Sequence, residues 1–174
     1  MKKELGIKSN LALKLSTSGI LIALGVVLSA FYIPIGGAKC FPIQHLINII
    51  SAVLLGPFYA VINAFIISLI RNMTGLGSLL AFPGSMIGAL IAGLIYQKFK
   101  NHRLACLGEL IGTGLIGGTI AAPFAVLIMG KEVSLFFFVI PFVLSSLAGS
   151  LIAFILLEST ALIQVIKARE SLKS

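Results

Sequence analysis

Long apolar runs, separated by short polar segments, limit what this sequence can fold into. The first run extends from Leu15 to Ile33, and the chain of 174 residues is 59% hydrophobic but only 10% charged. About 20 apolar residues are enough to cross the roughly 30 Å hydrocarbon layer of a bilayer. Backbone groups in that layer must form their hydrogen bonds within the segment, which favours helices. The sequence therefore predicts an all-α integral membrane protein in a lipid bilayer.

The number of spans depends on the run from Leu46 to Ile70. This run is either one tilted span or two short ones that break at Gly56-Pro57. A single span would put the basic segment 98–103 on the opposite side of the membrane from the lysine-rich N-terminus, against the positive-inside tendency. Two spans avoid this, and proline is tolerated at the first position of a helix. The prediction is one membrane domain, residues 1–174, with six spans at about 15–33, 42–55, 57–71, 79–97, 104–129 and 135–166.

The basic residues also predict the orientation. Six spans leave ten of the 13 Lys and Arg residues on the side of the N-terminus, and only Lys39, Arg71 and Lys131 on the other side. Both termini are therefore predicted to be cytoplasmic. The net charge of +8 belongs to short clusters between apolar runs, not to one continuous face. We therefore expect no nucleic-acid partner.

Several sequence patterns bear on catalysis and cofactors. The letters Gly112-Thr-Gly-Leu-Ile-Gly117 match a dinucleotide motif, but that motif needs a preceding strand, and here it lies inside a span. Close helix packing is the better interpretation. The sequence has no Walker A, CxxC or HExxH motif, and His45 and His102 are predicted on opposite sides of the membrane. We therefore expect no enzymatic activity, no catalytic residue, no bound metal and no cofactor.

Two acidic residues, Glu109 and Glu158, fall within the predicted spans. Carboxylates inside a membrane often belong to proton or ion pathways. Both lie toward the predicted cytoplasmic ends of their helices, which favours solvated or arginine-paired structural roles.

Polar residues concentrate in the predicted outer half of the protein. Gln44, His45 and Asn48 lie three or four positions apart, so they share one face of the second helix. Polar groups that converge beside aromatic rings suit a small, flat, mostly neutral molecule. The alternative is an interfacial role, because aromatic and charged residues gather at membrane surfaces whatever the function. The candidate substrate-binding residues are Lys39, Phe41, Gln44, His45, Asn48, Asn63, Arg71, Asn72, Phe82 and Ser85.

Four segments carry a resemblance to a known family. They are Gly-Gly-Ala-Lys-Cys-Phe-Pro-Ile-Gln-His45, Ser51-Ala-Val-Leu-Leu-Gly-Pro57, Arg71-Asn72 and Gly77-Ser-Leu-Leu-Ala-Phe-Pro-Gly-Ser-Met-Ile-Gly88. Together they resemble the ThiW family, predicted thiazole-binding S components of energy-coupling factor (ECF) transporters. The likeness spans most of the chain and is sharpest in residues 34–88.

The resemblance implies a six-helix bundle in the cell membrane of a prokaryote, with no enzymatic activity. Such a protein would capture hydroxyethylthiazole, the thiazole moiety of thiamin, at the outer face, with Pro34 to His45 as a lid. It would import this substrate with a transmembrane coupling subunit and two ABC ATPases. The S-component likeness also implies that small residues on the first helix, here Gly19 and Ala23, contact the coupling subunit.

Two other functions compete with this one. A stand-alone proton-coupled carrier of a small solute would need a titratable group in the transport path, such as Glu109. A small membrane enzyme would have to use His45 with Lys39 or Cys40 at the outer surface, and it lacks an acid-base partner.

Overall fold

The computed structural model describes residues 2–35, 38–130 and 132–159, and within them it has six helices and one short hairpin. The side chains of residues 2–10, 35 and 38 are not part of this description. The elements are α1 (Lys2–Val27, continued by a 3₁₀ turn at Leu28–Ala30), β1 (Ile33–Ile35), β2 (Ala38–Cys40), α2 (Pro42–Leu55), α3 (Pro57–Met73), α4 (Ala81–Phe99), α5 (His102–Met129) and α6 (Val139–Glu158).

The break between α2 and α3 lies where the sequence predicted it. Gly56 has a φ of 90°, in the left-handed region that favours glycine, and Pro57 opens α3 without the need for an N–H donor. α5 begins at the predicted cytoplasmic turn, where the Asn101 side chain accepts from the backbone N–H of Arg103 at 2.9 Å. Among the described residues, three segments are long and apolar enough to cross a membrane: Leu11–Ala30, His102–Met129 and Val139–Glu158. α2 and α3 are shorter apolar helices.

The first and last predicted spans were wrong in their bounds. Helix α1 ends at Val27, and Ile33 already belongs to β1, which pairs antiparallel with β2 through Pro34 and Lys39. Proline disfavours helix and is accepted at a sheet edge, which fits this hairpin. Residues 135–138 form a turn, so α6 begins at Val139 instead of 135. Lys131 and the predicted continuation of the last span through residues 160–166 lie outside the described residues.

Small residues set the distance between the central helices. A Cβ at Gly117 of α5 would lie 2.5 Å from the Cα of Gly84 in α4, and a Cβ at Gly112 would lie 2.8 Å from the Cα of Gly88. The backbones therefore touch along this seam, as the helix-packing interpretation of the glycine motif expected. The seam coincides with a π-helical stretch of α5, Leu110–Gly117. Such stretches are rare and are frequently found at functional sites.

Gly117→Ala should destabilise the protein, because the added methyl group would meet backbone atoms that cannot turn away. We expect a loss of about 1–3 kcal/mol, the usual cost of overpacking, seen as a lower Tm by circular dichroism in detergent. Gly19→Ala is the matched control, because nothing lies within 4 Å of a Cβ at that position. The control should keep or slightly raise the Tm, since Ala favours helix over Gly. Equal Tm values for the two variants would contradict the close contact.

Candidate functional site

A cavity of about 1060 Å³ opens at the end of the bundle that carries the hairpin. Its first wall comes from β2, the first turn of α2 and the end of α3. Its second wall comes from the segment between α5 and α6 and the first turns of α6. Most of the lining is apolar, and a few polar groups converge on it. The lining residues are Lys39, Phe41, Gln44, His45, Arg71, Leu76, Gly77, Ser78, Leu80, Ala81, Ser85, Val133, Ser134, Phe136, Phe137, Phe138, Ile140, Pro141, Phe142 and Ser145.

The hairpin is fastened to α6 across the mouth of the cavity. The backbone N–H of Phe41 donates to Ser145 Oγ at 2.8 Å, and the Cys40 thiol lies 3.5 Å from the carbonyl oxygen of Pro141. Burial raises the pKa of the Cys40 thiol, which keeps it protonated and able to donate. Both walls of the cavity are therefore linked at this point.

A one-way chain of hydrogen bonds runs across the floor of the cavity. The Ser85 hydroxyl donates to the carbonyl of Ala81 at 2.7 Å, so the Ser68 hydroxyl, 3.1 Å away, is the donor to Ser85 Oγ. Gln44 Nε2 then donates to Ser68 Oγ at 2.8 Å. This leaves Gln44 Oε1 as the acceptor for Arg71 Nη1. Each link fixes the direction of the next, so the orientation of the Gln44 amide follows from the network.

Arg71 is the one arginine in the lining of the cavity among the residues that the structure describes, and it is only 1% exposed. The ring of Phe41 lies over its guanidinium, with 3.8 Å between Cζ and the ring centroid. Its Nη1 donates to Gln44, whereas its Nε and Nη2 have no hydrogen-bond partner within the described part of the chain. A buried charge with free donors is costly unless something pairs with it.

Behind the floor lies a second polar cluster, centred on Glu109 of α5. Its Oε1 accepts from His45 Nδ1 at 2.9 Å, from Asn48 Nδ2 at 3.0 Å and from Thr113 Oγ1 at 2.9 Å. Asn48 Nδ2 also donates to the carbonyl of Ser85 at 3.1 Å, which joins this cluster to the floor of the cavity.

The interpretation of Glu109 as a solvated or arginine-paired residue was wrong. Its carboxylate is fully buried and its side-chain hydrogen-bond partners include His45, with no arginine among them. Glu158 does pair with an arginine, since its Oε1 lies 2.7 Å from Arg103 Nη2 at a partly exposed site. Of these two acids, Glu109 is the one that contacts a residue of the cavity lining, His45.

The candidate residues divide into three groups in the structure. Six line the cavity: Lys39, Phe41, Gln44, His45, Arg71 and Ser85. Asn48 lies just behind the lining, between Ser85 and Glu109. Three have other contacts: Asn63 donates to Ser51, Asn72 approaches the Ser68 carbonyl at 3.5 Å, and Phe82 packs against Phe65.

The second wall, from Val133 to Ser145, was missed by the sequence analysis. Phe136, Phe137 and Phe138 form a run of three aromatic residues, which had been assigned to the start of a span. In the structure this run is a turn whose rings pack edge to face, with 5.1 Å between the centroids of Phe137 and Phe138. Three adjacent aromatics followed by Pro141 were the available signal for a structured segment.

The described residues contain no group of three His, Cys, Asp or Glu side chains that could hold a metal ion. The polar groups of the cavity are amide, hydroxyl, imidazole, ammonium and guanidinium. Such a set can bind and orient a small aromatic molecule by hydrogen bonds and stacking.

Comparison with known proteins supports a transport role. The family model for ThiW, described as a thiamine-precursor transporter protein, matches residues 15–162. A comparison with curated proteins gives no match. The matched region covers all but the ends of the chain and includes both walls of the cavity, and the long apolar helices agree with a multi-pass membrane protein. The resemblance seen in the sequence is thereby confirmed: the chain belongs to the ThiW family of thiamine-precursor transporter proteins.

Proposed function

We propose that this protein is the substrate-binding S component of an ECF-type importer and that it captures hydroxyethylthiazole. The observation that carries the proposal is the cavity, which the hairpin borders and which offers aromatic rings beside a few fixed polar groups. Its volume of about 1060 Å³ exceeds what a small thiazole needs, so part of it is free for water or for a larger precursor.

The charge distribution supports capture at the outer face. Lys39 and Arg71 lie at the cavity end of the bundle, whereas Lys98, Lys100 and Arg103 lie at the turn between α4 and α5. Under the positive-inside tendency the second group faces the cytoplasm of a prokaryotic cell. We propose six spans with both termini cytoplasmic, which would put the cavity at the outer surface with the hairpin as its lid.

The chain has no nucleotide-binding motif, so the energy for uptake comes from another subunit or from an ion gradient. We propose a transmembrane coupling subunit and two ABC ATPases. The exposed side of α1 offers a place for the coupling subunit, since Gly19 and Ala23 lie on it and nothing lies within 4 Å of a Cβ at Gly19. In contrast, a Cβ at Gly25 would lie 2.6 Å from Ile67 of α3, so that side of α1 is already used inside the bundle.

Calorimetry of the purified chain and uptake into vesicles test this function together. The chain alone should bind hydroxyethylthiazole with a Kd below about 1 µM, equivalent to about 8 kcal/mol, and should bind thiamin and its pyrimidine precursor more weakly. Vesicles with the chain alone should take up none, and vesicles that also contain a coupling subunit and ATPases should take it up with ATP. Weak binding of all three compounds would reject the thiamin-precursor assignment.

Gly19→Leu should separate binding from transport. The larger side chain points away from the described bundle, so we expect the Kd for hydroxyethylthiazole to stay within about twofold of wild type. Uptake by the complete transporter should fall at least about tenfold, because a close helix contact would be lost. Leu11→Ala, at another exposed position of α1, is the control and should leave both measurements unchanged. Normal uptake by Gly19→Leu would rule out this face as the contact.

A stand-alone proton-coupled carrier is the second candidate, and the burial of Glu109 beside His45 favours it. A buried acid that contacts the lining of the cavity is the arrangement that proton coupling requires. Uptake by the chain alone in liposomes, driven by a pH gradient and abolished by Glu109→Gln, would establish this function in place of the first.

A further inference from the structure

One edge of the Arg71 guanidinium is buried without a partner among the described residues. Its Nη1 is engaged with Gln44, while Nε and Nη2 have no partner within the described part of the chain. Nε–H and Nη2–H point the same way along one side of the planar group. Two parallel donors of this kind match the two oxygens of a carboxylate or a phosphate.

The charged side chains that line the cavity are positive. Lys39 and Arg71 both line the cavity, and no Asp or Glu of the described residues does. Glu109, the nearest buried acid in the hydrogen-bonded network, is engaged by His45, Asn48 and Thr113 on its Oε1. The partner of Arg71 in the network is the neutral amide of Gln44. A buried guanidinium in an apolar bundle normally pairs with an anion.

The position of Arg71 fits a ligand contact better than a structural one. Phe41, which belongs to the segment that carries the hairpin, stacks on the guanidinium face at 3.8 Å and leaves the edge in the plane of the group. Gln44 accepts from the guanidinium and is itself fixed by its hydrogen bond to Ser68, which in turn donates to Ser85. The group is therefore oriented in advance, which reduces the entropy lost on binding.

We propose that the preferred cargo is a thiazole that carries an acidic group, a carboxylate or a phosphate monoester, bound side-on by Nε and Nη2 of Arg71. This inference rests on the proposed function and narrows its substrate class. Lys39 adds a second positive charge at the mouth of the cavity, where its ammonium lies 4.7 Å from the Tyr32 ring centroid. The apolar second wall receives the ring of the ligand.

Calorimetry with three related probes tests the proposal on the purified full-length chain. The probes are hydroxyethylthiazole, its phosphate monoester and the corresponding thiazole-acetic acid. Comparison of the last two shows whether the site prefers a phosphate or a carboxylate. At least one acidic probe should bind about tenfold or more tightly than the alcohol, as expected for a charged bidentate hydrogen bond. Arg71→Lys keeps the positive charge but loses the two parallel N–H donors. It should reduce the ratio of the affinity for the acidic probe to that for the alcohol to about threefold or less. Arg103→Lys, at the other end of the bundle, should leave the ratio unchanged.

The outcomes separate this inference from the proposed function. Tight binding of the alcohol with no gain for either acid would uphold thiazole capture and overturn the anion site. If no thiazole binds, the same chain is tested for thermal stabilisation by phenyl phosphate and by benzyl alcohol. Stabilisation by the phosphate alone, lost in Arg71→Lys, would support the anion site while rejecting a thiazole cargo. Equal effects of the two compounds would overturn the anion site as well.

Discussion

Glu109→Ala is expected to be the most damaging single substitution in this protein. The carboxylate is fully buried, and its removal leaves His45 Nδ1 without its acceptor and takes one of two acceptors from Asn48 Nδ2 and from Thr113 Oγ1. Leaving a buried donor unsatisfied typically costs about 1–3 kcal/mol, and the cavity left by the lost side chain adds to that cost. This is a large share of the roughly 5–15 kcal/mol that holds a typical protein folded. Thermal unfolding followed by circular dichroism in detergent should show a strongly lowered Tm.

Two matched variants show whether burial of the charge is the cause. Glu158→Ala removes an acid that is paired with Arg103 at a partly exposed site, and its Tm should match that of wild type. Glu109→Gln keeps an oxygen acceptor for Asn48 and Thr113 but removes the charge that faces His45, so its Tm should lie between the other two. Equal Tm losses for Glu109→Ala and Glu158→Ala would show that the buried network does not stabilise the fold.

The helix boundaries that could be predicted are those that a proline or a glycine marks in the sequence. Pro42, Gly56 and Pro57 are local signals that remain the same in any tertiary context, and the bounds of α2 follow from them. The hairpin could not be predicted, because its strands have three residues each and are too short to show a period of two. Their hydropathy continues that of α1, so the predicted span extended into β1.

The first wall of the site could be predicted because polar residues inside apolar helices stand out. Gln44 and His45 needed only the helical period to be placed together. The second wall could not, since apolar residues such as Phe138 and Phe142 have the same hydropathy whether they face lipid or a cavity. The contact between Glu109 and His45 could not be predicted from the sequence, because the predicted depth of each residue in the membrane did not take the short length of α2 into account. α2 has 14 residues and is only about 21 Å long. Its first turn, which contains His45, therefore lies level with a residue only two turns into α5, and His45 contacts Glu109 there.

Gln44→Glu should stabilise the empty protein and at the same time weaken its binding of acidic ligands. The new carboxylate would accept from Arg71 Nη1 in place of the amide oxygen and would supply the missing negative charge. The Ser68 hydroxyl can turn to donate to it, because the Ser85 hydroxyl already has its own acceptor in Ala81. We therefore expect a higher Tm without ligand, since hydrogen bonds between charged groups are stronger than neutral ones.

The same substitution should lower affinity for an acidic thiazole at least about tenfold, because two like charges would share one low-dielectric cavity. Affinity for the neutral alcohol should change much less. Gln44→Met is the matched control: it removes the link between Arg71 and Ser68 without adding charge, so it should lower the Tm and leave the preference for acids in place. A Gln44→Glu protein that binds the acidic thiazole as tightly as wild type would mean that Arg71 stabilises the bundle and does not contact the cargo.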